Sequence, residues 1–232
     1  MKSAPIKNGE VDTFKLEGIK AYSGIYNKYI KRILDFILAI FFLIILLPVY
    51  LIVALLIVIE TGFPIIYKAE RGGLNGKSFH IYKFRTMIKE ADKIGGGTTA
   101  LNDPRITKIG NFLRKTKLDE ITQLFNIVKG EMSFIGPRPE LVKYTSQYYG
   151  DEELILKVRP GITDYSSIEF INLDEIVGGE NADEIYEKFV LKKKNRLRIK
   201  YAATVSIKTD VYLFFYTAYK VIKKAINHIA NK

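Results

Sequence analysis

The sequence predicts a mainly α-helical, membrane-associated domain with short β-hairpin elements, built on a proline-broken membrane helix and interfacial amphipathic helices. Three observations predict this. Phe36–Ile59 is a run of 24 residues without a charge, interrupted by Pro48. Apolar residues recur at helical spacing around Asp119 and again over Ser206–Ala230. Short β-like stretches flank a glycine-rich turn near Gly72.

As a straight helix the apolar run would span roughly 36 Å, enough to cross a hydrocarbon core of about 30 Å. It is too long for a signal-peptide core, and no small-residue cleavage site follows it, so it is expected to stay on the protein. Pro48 removes a helix hydrogen bond and clashes with the preceding turn, at about 3 kcal/mol unless the helix bends. Each arm is then about 18 Å long, too short to cross alone. Both flanks are basic: Lys28, Lys31 and Arg32 precede the run, and Lys68, Arg71, Lys77, Lys83 and Arg85 follow it. A spanning helix puts one basic flank outside, against the positive-inside tendency, whereas a helix that bends and returns keeps both inside. On the residues alone, a kinked spanning helix and a re-entrant one both stand. The organisation is then a polar segment over 1–27, the membrane helix over 28–62 and one further domain over 63–232.

Composition narrows the chemistry. With 48% hydrophobic residues in 232, the chain can bury a core and is not disordered. A net charge of +11 points to an anionic partner: nucleic acid, an anionic membrane or a phosphorylated substrate. There is no cysteine, which excludes disulfides and thiolate metal sites. His80 and His228 are the only histidines, so any metal should be a hard cation held by carboxylates and phosphates.

After the apolar run, Ile65–Glu70 and Phe79–Phe84 around Gly72, Gly73, Asn75 and Gly76 predict a hairpin. Arg71–Ser78 falls one residue short of a P-loop: Gly76-Lys77-Ser78 fits its end, but Arg71 stands where the first glycine belongs. A strand follows where that motif needs a helix, which excludes it. Gly95–Gly97 predicts a second loop. Ile106, Ile109 and Leu113 predict one helix, and Leu118, Ile121, Leu124, Phe125 and Val128 a second. The first is expected to begin near Asp103-Pro104 and the second to end at Gly130. In Ser206–Ala230, apolar residues such as Val211, Phe214, Phe215 and Ile222 mix with Lys208, Lys220, Lys223 and Lys224. That suits a helix at a lipid headgroup surface or one packed on the core. Lys192–Lys200 reads as a solvated basic face that could also meet anionic lipid.

Asp119-Glu120 is the pair that matters most. Thr116 precedes Asp119 by three residues, the spacing of a capping box, so Asp119 has a purely structural reading. A helix start also favours anions by about 0.3–1 kcal/mol, which keeps a carboxylate ionised and helps hold a phosphate. Adjacent carboxylates can bind a divalent cation together with substrate phosphates, and an ionised Asp can attack phosphorus. Cations suited to phosphate surround the pair. Arg114 lies five residues earlier, and Lys83 and Arg85 stand two apart in a predicted strand, on one face. Arg138 is held extended between Pro137 and Pro139, so its fork loses little freedom on a phosphate. Singly, each cation reads as easily as a surface charge.

Five motifs complete the picture: Tyr82-Lys83-Phe84-Arg85-Thr86-Met87, Asn102-Asp103-Pro104-Arg105-Ile106-Thr107, Leu118-Asp119-Glu120, Gly130-Glu131-Met132-Ser133-Phe134-Ile135-Gly136-Pro137-Arg138-Pro139 and Arg159-Pro160-Gly161-Ile162-Thr163. In this order they resemble the bacterial sugar transferase family, the monotopic polyprenyl-phosphate phosphoglycosyl transferases. The resemblance runs from about Lys28 to Gly161 and more weakly to the C-terminus. It implies a re-entrant membrane helix broken at Pro48, a bacterial inner-membrane location and a catalytic domain facing the cytoplasm. It further implies transfer of a sugar-1-phosphate from a UDP-sugar to polyprenyl (undecaprenyl) phosphate, with Mg²⁺ and a covalent aspartyl phosphosugar, as the first membrane step of glycoconjugate assembly. Asp119 would be the nucleophile and Glu120 its dyad partner, both as metal ligands. Lys83, Arg114 and Arg138 match the family's essential cations, and Arg85 joins them as a phosphate-binding candidate.

The sequence departs from the family at Leu47, where serine is frequent, at Asp164-Tyr165-Ser166-Ser167, near Ser206, where a Trp is missing, and at Arg198, where an acidic residue is common. The sugar, the pathway (capsule, exopolysaccharide or glycoprotein) and the oligomeric state, a homo-oligomer included, stay open. A non-catalytic membrane-surface protein binding anionic lipid or nucleic acid would account for the charge and the apolar run. It gives no reason for adjacent carboxylates among phosphate-type cations, and no nucleic-acid module is recognisable, so nucleic acid is not expected. The intact set of Asp119, Glu120, Lys83, Arg114 and Arg138 argues against an inactive relative.

Overall fold

The computed structural model describes residues 21–94, 97–100, 102–179 and 181–230. Most of the predicted 1–27 segment, and Gly95 and Gly96 of the predicted second loop, lie outside the described residues. The apolar run forms two helices, α1 (Lys31–Ile45) and α2 (Leu47–Thr61). The helical stretches Tyr26–Ile45 and Leu47–Thr61 are bent by 62°. The break falls at Leu46 (φ −85°, ψ 0°), which leaves Pro48 in the first turn of α2, where a missing N–H is tolerated. The Leu46 amide donates to the Phe42 carbonyl (2.9 Å), and the Tyr50 amide returns to the Leu46 carbonyl (3.0 Å), so the helical ladder resumes directly after the break. Among the described residues no single helix is long and apolar enough to cross a membrane; the bent pair meets length and composition only together.

One face of the pair is covered. Ala39 packs with Leu124, Ile127 and Met132, and Val53 and Ile57 pack with Phe84 and Leu113. The other face is bare: Ile33, Ile37, Phe41 and Ile44 on α1, and Leu51, Leu55 and Ile59 on α2, are each more than half exposed. Their spacing of three to four residues makes one apolar stripe. Two cations of the basic flank before the run, Lys31 and Arg32, are engaged by the protein. Lys31 is buried against Asp210 (2.6 Å) and Asp35 (3.7 Å). Arg32 donates to the carbonyls of Ile127 (2.5 Å) and Val128 (2.9 Å). These two cations clamp the start of α1 to the rest of the domain.

The predicted hairpin is present: β1 (Ile66–Gly72) and β2 (Ser78–Phe84) pair antiparallel from Ile66↔Phe84 to Gly72↔Ser78. Because β2 ends at Phe84, Lys83 and Arg85 do not share a face as strand alternation predicts. Lys83 turns to Glu120. Arg85 is buried and donates to Thr61 Oγ1 and to the Gly62 carbonyl (2.6 Å), bracing the exit of α2.

Helix α3 (Lys108–Thr116) starts at Lys108 and not near Asp103-Pro104. Asp103 is taken by Arg105 (2.6 Å), and Met87 pairs with Ile106, which keeps that stretch extended. The cap is Thr107, whose Oγ1 accepts from the Gly110 amide (2.9 Å), and Glu60 accepts from the Lys108 amide (2.8 Å). Helix α4 (Gln123–Lys129) ends at Gly130 as predicted, with φ +85°.

Strands β3 (Ser133–Ile135) and β4 (Gly161–Thr163) pair in parallel. Just beyond β3 the chain crosses Gly161 so closely that a Cβ there would sit 2.1 Å from the Gly136 nitrogen. Only glycines permit this crossing, and it fixes the start of Pro137-Arg138-Pro139. Helices α5 (Leu191–Thr204) and α6 (Ile207–Ala230) follow. The Lys192–Lys200 run is not a uniformly solvated face, since Lys194 and Arg198 are buried. The two sides of α6 differ: one packs on the core, as the second reading of this helix has it, and the other is exposed. Asp210 and Leu213 are buried, while Val211, Tyr212, Phe215, Tyr219 and Ile222 are at least half exposed.

Candidate active site

A reversal of the chain, not a helix start, holds the acidic pair. Thr116 is still inside α3, and its hydroxyl donates to the Phe112 carbonyl (2.9 Å), so the predicted capping box is not formed. Lys117 ends α3 in the left-handed region (φ +61°, ψ 13°), and a single 3-10 turn, Leu118–Glu120, follows. A non-glycine residue holds that backbone only when its surroundings impose it.

Glu120 sits between two cations. Its Oε1 accepts from Arg138 Nη2 (2.5 Å) and from Lys83 Nζ (3.1 Å). Arg138 Nη1 also donates to Gln123 Oε1 (3.2 Å) and to the Ile162 carbonyl (2.8 Å). The guanidinium fork is therefore anchored on protein acceptors from a backbone stiffened by two prolines. Burial alone would raise the Glu120 carboxyl; Arg138, Lys83 and Lys117 overcome it and hold the group well below the usual carboxylate range.

Asp119 is 5% exposed, and its Oδ1 is enclosed without a hydrogen-bond partner. Burial, and then the charge of Glu120, raises its carboxyl above the ordinary aspartate value, opposed by Lys83, Lys117 and Arg114. This corrects the expectation that a helix dipole favours the charged form of Asp119: no helix starts there, and the nearby cations only partly offset its burial. An unpartnered buried carboxylate oxygen is rare and costly, and it is the kind of group that a hard cation or a phosphorus centre would meet.

Glu120 lies on the wall of a cleft of about 1430 Å³. Lys83, Arg114 and Arg138 share that lining, whereas Asp119 and Arg85 are not part of it. Of the predicted cations, the fold thus gathers three and diverts Arg85. Among the described residues no three His, Cys, Asp or Glu side chains cluster to hold a metal by themselves. Mg²⁺ needs only one or two carboxylates and completes its shell with phosphate oxygens and water, so Asp119 and Glu120 fit it.

The cleft continues to residues that sequence reasoning missed. Glu140 Oε2 accepts from Arg198 Nη2 (2.9 Å) and from the Tyr186 hydroxyl. Arg198 Nη1 reaches Asn195 Oδ1 (2.8 Å), and Lys194 lies over the Tyr186 ring, 5.2 Å from its centroid. Burial raises the Glu140 carboxyl, but Arg198 and Lys194 bring it down to about 2. Burial, followed by the Arg198 charge, lowers the Lys194 ammonium to about 8. The available signal was the four-residue spacing of Lys194 and Arg198, which puts both on one face of a helix.

The site thus gathers phosphate-type cations around an acidic pair, on a domain that carries a bent apolar helix pair. Residues 26–224 match the family model described as Bacterial sugar transferase, and the chain belongs to that family. It is 36% identical over 202 residues to the UDP-glucose:undecaprenyl-phosphate glucose-1-phosphate transferase of Escherichia coli (strain K12), covering 85% of this chain and 41% of that protein. It is 45% identical over 122 residues to a putative undecaprenyl-phosphate N-acetylgalactosaminyl 1-phosphate transferase of Bacillus subtilis, covering 53% of this chain and 68% of that protein. A UDP-N-acetylgalactosamine-undecaprenyl-phosphate N-acetylgalactosaminephosphotransferase of Aeromonas hydrophila is 35% identical over 145 residues, covering 60% of this chain and 34% of that protein. The chain thus spans about two-fifths of the Escherichia coli relative's length.

Proposed function

We propose that the chain moves a sugar-1-phosphate from a UDP-sugar to polyprenyl (undecaprenyl) phosphate, giving polyprenyl-diphosphate-sugar and UMP. The names of the relatives describe this class of reaction. The observation that carries the reading is the enclosed, unpartnered Asp119 Oδ1 beside a Glu120 fixed by Lys83 and Arg138. In the first step an Asp119 oxygen attacks the phosphorus that bears the sugar. The bond from that phosphorus to the UMP oxygen breaks, and UMP leaves with the electron pair. In the second step a phosphate oxygen of the lipid attacks the same phosphorus and expels the Asp119 carboxylate.

Lys83, Arg114 and Arg138 offset charge on the phosphates, and Glu120 keeps two of them in register. Mg²⁺, held by Asp119 and Glu120, would supply further neutralisation of the diphosphate. The direct test is release of UMP from a UDP-sugar. It should require polyprenyl phosphate for repeated turnover. A membrane-bound preparation that binds both substrates and releases no UMP would leave only the lipid-binding reading.

The bare stripe on α1 and α2 and the exposed aromatics of α6 suit a bilayer. We place the protein at the bacterial inner membrane, with the helix pair re-entrant and the cleft facing the cytoplasm, at the first membrane step of glycoconjugate assembly. Cysteines introduced at Lys28 and Lys77 in this cysteine-free chain should label from the same side of the membrane. Labelling from opposite sides means that α1 and α2 together span.

A further inference from the structure

The far end of the cleft has donors to spare and its acceptors largely committed. Glu140 Oε2 takes Arg198 Nη2 (2.9 Å) and the Tyr186 hydroxyl, and its Oε1 takes the Leu141 amide (3.1 Å). Asp164 takes the hydroxyls of Ser166 (2.8 Å) and Ser167 (2.8 Å) and the Ser167 amide (2.8 Å). Arg198 Nε is buried with no partner. Lys194 is 7% exposed and lines the cleft. Its ammonium carries three donors, faces the Tyr186 ring and has no hydrogen-bond acceptor among the described residues. Its donors are therefore left to whatever occupies the cleft, where an oxygen of a bound ligand can take them in place of water.

The two ion pairs of the cleft adjoin along the chain. Arg138 reaches Glu120, and Glu140 reaches Arg198, with Pro139 alone between them. Two residues of extended chain span at most about 7 Å. That is close to the width of one sugar ring. Lys83, Arg138 and Lys194 line one cleft, so a sugar whose phosphate meets the first two lies in the space that Lys194 borders.

We infer that Lys194 is a specificity-determining residue that donates to an acceptor-only oxygen on the transferred sugar, an acyl carbonyl or a carboxylate. The inference rests on the reading of the cleft as a nucleotide-sugar site. A hydroxyl at this place would use its oxygen and leave its hydrogen poorly matched, because the neighbouring acceptors are engaged. A carbonyl or carboxylate leaves nothing stranded.

The test compares wild type, Lys194→Met and Lys194→Gln with a UDP-hexose, a UDP-N-acetylhexosamine and a UDP-hexuronic acid, in gluco and galacto forms. Wild type should favour the acylated or the acidic sugar over the matching hexose, and the winner identifies the acceptor. Lys194→Met should erase roughly 10- to 100-fold of that preference in kcat/KM, mostly through KM, as expected for loss of a charged hydrogen bond. Lys194→Gln keeps a donor and should retain part of it. Binding of UDP, which lacks the transferred sugar, should change by less than about twofold in both variants, which also reports an intact fold. A wild-type preference for the plain hexose, an unchanged preference in Lys194→Met, or a parallel loss of UDP affinity overturns the assignment. Wild type that binds UDP yet turns over no UDP-sugar would sink the transfer reading itself, and this inference with it.

Discussion

Asp119→Asn should lower turnover by at least about 10⁴-fold while leaving the protein folded. Asparagine has nearly the same shape, but its amide oxygen cannot attack phosphorus and be expelled again as a carboxylate. The enclosed Oδ1 makes no hydrogen bond, so the fold loses no contact there. Burial already disfavours the charge of Asp119, so removing it should leave stability unchanged or slightly raised. UMP release per protein, measured beside thermal unfolding, checks both halves. A folded variant that keeps more than about one-hundredth of wild-type turnover would show that Asp119 is not the nucleophile.

Arg138→Lys should cost nearly as much as Arg138→Ala, each about 10²–10³-fold in kcat. The guanidinium touches Glu120 (2.5 Å), Gln123 (3.2 Å) and the Ile162 carbonyl (2.8 Å). A single ammonium on the same backbone cannot reach all three, and it would leave the fully buried Gln123 side chain without its donor. The loss should therefore show as a misplaced Glu120, and Lys83 should not compensate. Near-normal turnover in the Lys variant would mean that charge alone suffices and that the fork is incidental.

What was legible in the sequence was mostly local. The hairpin around Gly72–Gly76, the stop at Gly130 and the break beside Pro48 follow from backbone preferences of single residues, and all three are present. The meeting of Lys83, Glu120 and Arg138 was readable through the motifs. Wherever tertiary partners decided, local rules failed. Thr116 has the spacing of a cap, but the left-handed turn at Lys117 carries Asp119 away from it. Asp103 is a good cap by type, but Arg105 takes its carboxylate and Thr107 caps instead. Arg85 follows Lys83 by two, yet the strand ends between them, and Thr61 and Gly62 draw the guanidinium to α2. Lys194 and Arg198 sit in a charged run that looks solvated. The partner that makes burial of Arg198 tolerable is Glu140, 58 residues away, and no local pattern announces it.

The most direct test of the central claim is to incubate the protein with a UDP-sugar radiolabelled in the sugar, without any lipid acceptor, and to look for label on the chain. The account predicts label on wild type in step with the UMP released, its removal when polyprenyl phosphate is added, and none on Asp119→Asn. Wild type that transfers sugar to lipid but never carries label, or Asp119→Asn that carries it equally well, would contradict it: transfer would then run directly between the two substrates, with Asp119 at most a metal ligand.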